Sequence, residues 1–312
     1  MTVLEAIQKS AEFLGKKGVE SPRLQTELLL AHLLKLPRMN LYLNFERALT
    51  PAETGALREM IKRRGSREPL QHITGTISFC GFEIAVNKNA LVPRPETELL
   101  AEAGWTFLVT CHSSPVTAID FGTGTGCVAI ALAAKCPGAN IVATDISADT
   151  LALATANAVK NNVAERIEFV EGDGFPALGD VRQASRLPRL EAQRPDAGGT
   201  PALLFDLIIS NPPYIPTAEI ETLQPEVRNF DPRAALDGGA DGLDFYRMFA
   251  AQTKPFLKPA GKIMLEFGDR QAEAIRKLFE IKKWIVEEIK SDYSQRERIL
   301  IAKSSSSSSS SS

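Results

Sequence analysis

An apolar strand runs without interruption into a glycine loop and then a helix: Ala118-Ile119-Asp120-Phe121-Gly122-Thr123-Gly124-Thr125-Gly126, followed by the apolar stretch Cys127 to Ala134. A strand apolar on both faces belongs inside a parallel sheet, and a helix following at once covers one face of it. The glycines let the backbone turn tightly and let a ligand approach it closely. The helix start behind them offers unpaired N–H groups to an anion, so Gly122, Thr123, Gly124, Thr125 and Gly126 are candidate ligand-binding residues. The spacing is G-x-G-x-G. A dinucleotide fingerprint would need glycine where Cys127 stands.

A second strand, Ala139 to Asp145, ends in a carboxylate. It falls about 20 residues past the glycines, the offset of a group that grips ribose hydroxyls. Asp145 also reads as a helix cap or a solvated strand end. Ser147 or Asp149 can cap the next helix instead, which leaves Asp145 to a ligand. A third strand, Ile167 to Glu171, ends at Gly172-Asp173-Gly174-Phe175, near where an adenine could lie.

The apolar run Leu203 to Ser210 leads into Asn211-Pro212-Pro213-Tyr214. Two prolines forbid both helix and ladder, so the chain is held stiffly at the carboxyl end of a strand, where open α/β sheets bind ligands. An amide oxygen, a backbone carbonyl and a ring together suit a planar NH2 group. Alone, the tetrapeptide also reads as a proline turn with a surface tyrosine.

Residues 1 to 75 read as helical. Ser21-Pro22 gives a cap and a first-turn proline, followed by Leu24, Leu28, Leu29, Leu33 and Leu34 on one face. Thr50-Pro51-Ala52-Glu53 predicts a capping box. The run Lys62-Arg63-Arg64 with Arg67 reads either as a solvated helix end or as a patch for a charged partner. Residues 76–92 alternate about Gly81 and predict a β-hairpin linker. From 93 to 303 strands and helices alternate, including a helix over 243–256, a strand over 262–267, a helix over 271–279 and final strands over 284–290 and 298–302. The 181–201 stretch reads as a surface loop, and the serines from Ser304 to Ser312 as a flexible tail.

With 44% hydrophobic and 24% charged residues in 312, the chain has a substantial core. Its net charge of -2 argues against a protein living on a phosphate backbone. Cys80, Cys111, Cys127 and Cys136 form no CxxC pair, and His32, His72 and His112 are scattered, so no metal site is expected. Reduced thiols, no signal pattern and no bilayer-length apolar run point to a cytoplasmic protein with no membrane.

Taken together, these residues resemble a Rossmann-like S-adenosylmethionine-dependent methyltransferase, and more narrowly the release factor glutamine methyltransferases of the PrmC/HemK family. The resemblance includes Glu68-Pro69-Leu70-Gln71-His72-Ile73-Thr74-Gly75, Leu91-Val92-Pro93-Arg94-Pro95-Glu96-Thr97-Glu98, and the block from Asp231 to Leu243. It implies an α/β fold: a methyltransferase sheet closed by an antiparallel strand, a small N-terminal helical bundle that grips a protein substrate, and a linking hairpin. It implies S-adenosylmethionine as cofactor, held by the glycine loop, Asp145, Asp173, Gly174 and Asn211. Pro93 to Glu96 would form a wall near the methionine moiety, or pack as a hinge. Asn211, Pro212, Pro213 and Tyr214 would bind the substrate amide, with Asn211, Pro212 and Tyr214 catalytic. The implied partners are class I peptide chain release factors, met by a monomer without nucleic acid. A ribosomal-protein glutamine, or an adenine amino group on nucleic acid, would use the same tetrapeptide. A docking module that only binds cofactor is hard to square with both motifs intact. Family members often carry an aromatic residue where Gly174 stands, which shifts adenine stacking to Phe175 or removes it.

Overall fold

The computed structural model describes residues 1–173 and 204–305. Gly174, Phe175, the 181–201 stretch and the serines from 306 onward lie outside the described residues. The chain divides into two compact units. The first contains Met1–Thr76, Val86–Lys88 and Thr222–Asp231; the second contains Ile77–Ala85, Asn89–Glu221 and Pro232–Ser312.

The first unit is helical: α1 (Val3–Lys16), α2 (Pro22–Leu34), α3 (Pro51–Gly65) and α4 (Leu70–Thr74). Its core includes Ile7, Leu14, Leu29, Leu30, Leu41 and Leu57. Helix α3 starts in the expected capping box, with Thr50 Oγ1 accepting from Glu53 N–H and Glu53 accepting from Thr50 N–H. Helix α2 starts differently. Ser21 adopts a left-handed conformation (φ 48°) and makes no side-chain cap bond, so the fixed φ of Pro22 opens the helix. Its buried face is Thr26, Glu27, Leu29, Leu30 and Ala31, while Leu24 is exposed. The buried Glu27 carboxylate is satisfied by Arg23 (3.0 Å), Arg38 (2.8 Å) and the Tyr42 hydroxyl.

The basic run of α3 is consumed inside this unit. Arg64, 5% exposed, donates to Glu226 (2.8 Å) and to Gln25 (3.0 Å). Arg67 donates twice to Glu226 (2.7 and 2.6 Å), and Arg63 pairs with Glu68. Neither reading of the run anticipates this. Arg63, Arg64 and Arg67 fasten the Thr222–Asp231 segment and the end of α3, and only Lys62 of the run lies exposed without such a bond among the described residues.

From Ile77 the second unit begins: β1 (Thr76–Phe79) and β2 (Phe82–Ala85) form the hairpin, turning at Cys80 and Gly81 with φ of 50° and 85°. Helix α5 (Pro95–Leu108) follows. Then come β3 (Val116–Phe121), α6 (Cys127–Lys135), β4 (Ala139–Asp145), α7 (Ala148–Lys160) and β5 (Ile167–Glu171). After the undescribed stretch come β6 (Phe205–Ser210), α8 (Asp244–Gln252), β7 (Leu257–Glu266), α9 (Ala272–Ile281), β8 (Trp284–Ser291) and β9 (Glu297–Ser304). Helix α8 is shorter than predicted, because Pro255 ends the run in a 3₁₀ turn, Lys254–Phe256. Strand β9 takes in Ser304, which pairs with Trp284, so the serine run begins inside the sheet.

The sheet order is β5-β4-β3-β6-β7-β9-β8. Strands β3 to β7 are parallel, and β9 and β8 close the sheet antiparallel. Apolar clusters pack against it, one containing residues of α5 and α6 and one containing residues of α8 and α9. Every residue of β6 is buried. The chain winds outward from β3 through β4 to β5, then returns to β6 on the other side of β3. Strand order therefore reverses between β3 and β6, which is where doubly wound sheets open a crevice at their carboxyl ends.

Candidate active site

A cavity of about 600 Å³ opens at that crevice, within the range of pockets that hold small molecules. Both motifs reach it, because β3 and β6 are neighbours in register, Ile119 opposite Ile208. Gly122 to Thr125, Asp145, Asp173, Asn211, Pro212 and Pro213 all line it. Gly126 and Tyr214 are not among its lining residues.

The glycine loop is held from behind by Asp120. Its buried carboxyl accepts from Thr123 Oγ1 (2.6 Å) and from Ala129 N–H in α6 (3.1 Å). Burial pushes its pKa up to about 6 against those two bonds, which favour the charged form. Gly122 and Gly124 take φ of 69° and 56°, and a side chain added at either would meet only open space. Their glycine requirement is conformational, and the space they leave belongs to the cavity. Gly126 is also left-handed, but a Cβ there would stand 3.0 Å from that of Ala154, so it serves close packing against α7. The Thr125 hydroxyl, at the cavity wall, is buried with no hydrogen-bond partner among the described residues.

Asp145 is shared between loop and cavity. One oxygen accepts from Gly124 N–H (3.0 Å) and the other from Ser147 N–H (3.1 Å). Burial raises its pKa against these bonds. Ser147 caps α7 through Thr150 N–H (3.3 Å), so Asp145 is not the cap. Two carboxylate oxygens offer about four acceptor sites, which leaves capacity for hydroxyl donors. Ile146 beside it is 64% exposed and lines the cavity. It presents an apolar face where the sequence suggested only Gly174 or Phe175. Of the Pro93 to Glu96 wall, Pro93 and Arg94 line the cavity, as does Thr97, which sequence reasoning missed.

Asn211-Pro212-Pro213-Tyr214 is clamped by the segment after it. Ile215 bridges to Asp237 and exchanges bonds with Leu236 and Gly238. A Cβ on Gly238 would come within 2.8 Å of Tyr214 Cα, and one on Gly242 within 2.3 Å of the Tyr214 carbonyl oxygen. That carbonyl accepts from Gln271 Nε2 (2.9 Å). The glycine-rich block is thus a bed for the tetrapeptide. Tyr214 lies half-buried against the apolar cluster that contains Phe249 and Phe267, and burial pushes its hydroxyl up to about 12. Asn211 Nδ2 donates to Thr97 Oγ1 (3.0 Å), which directs the amide nitrogen into the protein. Its Oδ1 is then the end available to the cavity.

Residues 5–75 match the PrmC N-terminal domain family, and residues 101–185 the methyltransferase small domain family. A release factor glutamine methyltransferase of Geobacter sulfurreducens is 42% identical over 278 residues, which cover 89% of this chain and 88% of that relative. The chain belongs to the release factor glutamine methyltransferase family. Another member, from Rhodospirillum rubrum, is 41% identical over 95% of this chain and 83% of its own length. Among solved structures, the hMettl16 catalytic domain in complex with MAT2A 3'UTR hairpin 6 has a TM-score of 0.50 at 14% identity, covering 82% of each chain. That likeness concerns the fold alone. Family membership makes this chain an S-adenosylmethionine-dependent methyltransferase. The cavity fits that cofactor: a glycine cradle with open space, a Thr125 hydroxyl unpartnered among the described residues, and a carboxylate beside an exposed apolar side chain. Among the described residues no helix is long and apolar enough to cross a membrane.

Proposed function

We propose that this chain methylates the side-chain amide nitrogen (N5) of the glutamine in the Gly-Gly-Gln motif of class I peptide chain release factors. The observation that carries the reading is the orientation of Asn211: its nitrogen bonded to Thr97, its oxygen left to accept a hydrogen bond. It stands in a cavity shared with the glycine loop, in a family whose members bear that activity in their names.

When bound, S-adenosylmethionine supplies a methyl group on a sulfonium, already activated for transfer. Gly122 to Thr125 would hold its amino-acid end, Asp145 its ribose, and Asp173 and Ile146 would border its adenine. The protein's work lies with the nucleophile. A glutamine amide nitrogen is delocalised into its carbonyl and attacks poorly. Asn211 Oδ1 and the Pro212 carbonyl accept its two hydrogens, hold the nitrogen toward the methyl group, and stabilise the positive charge that grows on it. Alignment of this kind contributes about 7–11 kcal/mol. Tyr214 acts from beneath, by fixing the backbone through its packing. The helical unit grips the protein substrate, the enzyme works as a monomer in the cytoplasm, and no nucleic acid takes part.

The test is methyl transfer from labelled S-adenosylmethionine to a release factor, beside a release factor whose motif glutamine is alanine. Label in the first and none in the second is expected. Label entering a ribosomal protein or nucleic acid instead overturns the reading.

A further inference from the structure

Glu266, the last residue of β7, is 2% exposed, and one of its carboxylate oxygens is buried without a hydrogen-bond partner among the described residues. Nothing in the chemistry above uses it. Its surroundings are specific: Thr97 and Asn211 both stand within hydrogen-bonding reach of its carboxyl. Thr97, at the start of α5, is itself 3% exposed. Two buried polar groups, from β7 and α5, therefore join the half-buried Asn211 at the end of β6, and of the three Thr97 and Asn211 reach the cavity.

An asparagine amide has nearly the same shape when turned end for end, so only its partners decide which end faces a substrate. Thr97 cannot decide alone, since a hydroxyl both donates and accepts. An ionised carboxylate only accepts. It accepts a hydrogen bond from the Thr97 hydroxyl, which leaves Thr97 Oγ1 as the acceptor for Asn211 Nδ2, at 3.0 Å. The Asn211 oxygen must then face the cavity. We propose, resting on the function just stated, that Glu266 is a positioning residue: through Thr97, and by its own contact with the amide nitrogen, it sets the Asn211 amide with its oxygen toward the substrate nitrogen.

Protonation reverses the logic. A neutral Glu266 can donate to Thr97, and the constraint on Asn211 is lost. Burial pushes this carboxyl up to about 7, with Glu96 adding to the rise and Thr97, Arg298 and Asn211 opposing it. The other groups facing it are the hydroxyls of Tyr214 and Tyr246; the latter donates to the Glu266 backbone carbonyl (2.7 Å). The oriented state therefore fills as pH rises through neutrality.

The experiment has one arm that needs no substrate. The full-length protein, isotope-labelled, is titrated between about pH 5.5 and 8.5 while the Asn211 side-chain amide and the Glu266 carboxyl are followed by NMR. Both should move with one midpoint near neutrality, and Glu266→Gln should abolish that movement at Asn211. In the second arm, kcat for methyl transfer should rise with pH through the same midpoint in the parent and lose that limb in Glu266→Gln. Any limb from Asp120, nearer pH 6, would persist in both. Thr97→Val should cut kcat at least about tenfold with cofactor KM within about threefold, and Thr97→Ser should restore it. An Asn211 signal that ignores pH, or moves equally in Glu266→Gln, overturns the proposal even if methyl transfer proceeds. Coupled NMR midpoints without methyl transfer to release factor uphold the relay and sink the substrate reading.

Discussion

Gly242→Ala tests whether the glycine-rich block is a bed for the reacting tetrapeptide. Gly242 has φ of 75°, and a Cβ there would stand 2.3 Å from the Tyr214 carbonyl oxygen and 2.7 Å from Gln271 Nε2. Holding alanine in that left-handed conformation costs about 1–2 kcal/mol. Displacing Gln271 breaks its 2.9 Å bond to the Tyr214 carbonyl, worth about 0.5–1.5 kcal/mol. The direct loss is about 1.5–3.5 kcal/mol. The overlap, set against ordinary contact at 3.4–4 Å, also forces the Tyr214 backbone to move by about 1 Å. A displacement of that size beside the nucleophile costs about a hundredfold in rate. Cofactor affinity should hardly change, because its proposed contacts sit at the ends of β3, β4 and β5. The assay is single-turnover methyl transfer at saturating cofactor, with the cofactor Kd measured by calorimetry. Gly55→Ala, in α3 with nothing within 4 Å, is the control and should be neutral or stabilising by about 0.5–1 kcal/mol. Parent-like turnover in Gly242→Ala would show that the block does not position Asn211.

Asn211→Ala should cut single-turnover methyl transfer by about 10²–10³, with cofactor Kd little changed, since it removes one oriented acceptor. Asp145→Ala should weaken cofactor binding at least about tenfold, as each charge-assisted bond is worth about 1.5–3 kcal/mol. It should also lower the Tm of the free protein, because Gly124 and Ser147 lose their acceptor. Glu226→Ala strands the buried Arg64 and should destabilise the helical unit by about 3–5 kcal/mol in urea titrations. Burial would raise the Glu226 pKa, but Arg67 and Arg64 hold it below the ordinary carboxylate value. Its contribution is therefore present above the unfolded pKa and disappears as pH falls through the lower folded one, and chevrons or melts at low pH should show the parent converging on Glu226→Ala.

The parts of the fold read most directly from sequence are those set by local pattern. Buried parallel strands are uninterrupted apolar runs, so β3, β4 and β6 announce themselves, and the three glycines at positive φ mark the loop between β3 and α6. What stayed hidden depends on partners far along the chain. Arg64 looks like a solvated charge until Glu226, 162 residues away, is beside it. Glu27 breaks the leucine face of α2 because Arg38 and Tyr42 come to it from a 3₁₀ turn. Thr97, Gln271 and Glu266 carry no motif of their own that names a role. Their roles follow from the tetrapeptide they touch, and only the threonine lay inside a block already singled out. Tyr214 is legible in part: the sequence reads its ring as a face for the substrate amide, and the structure adds that it packs, half-buried, against the apolar cluster containing Phe249 and Phe267.

Asp120 and Glu266 stand at the carboxyl ends of β3 and β7, the two strands that flank β6 and its Asn211. Both are buried, and burial raises both pKa values, to about 6 and about 7. An acid whose pKa is higher folded than unfolded holds its proton longer in the native state. Such a group favours folding as pH falls from its folded pKa toward its unfolded one, and it weighs against folding above the folded pKa. A core built only for stability would place apolar side chains at both positions. If Glu266 is kept for the orientation of Asn211, stability and turnover must respond to its removal with opposite signs. Glu266→Gln keeps the shape and removes the buried charge. At about pH 8, where the parent carboxylate is ionised, the variant's Tm should therefore rise while its kcat falls. Near pH 5, where the parent carboxyl is protonated, the two melting temperatures should converge. Calorimetric melts of both proteins across this range decide the matter. A variant that melts lower than the parent at pH 8 would show that the carboxylate is a net stabiliser of the folded chain, and the argument that its burial is a cost borne for positioning would fail.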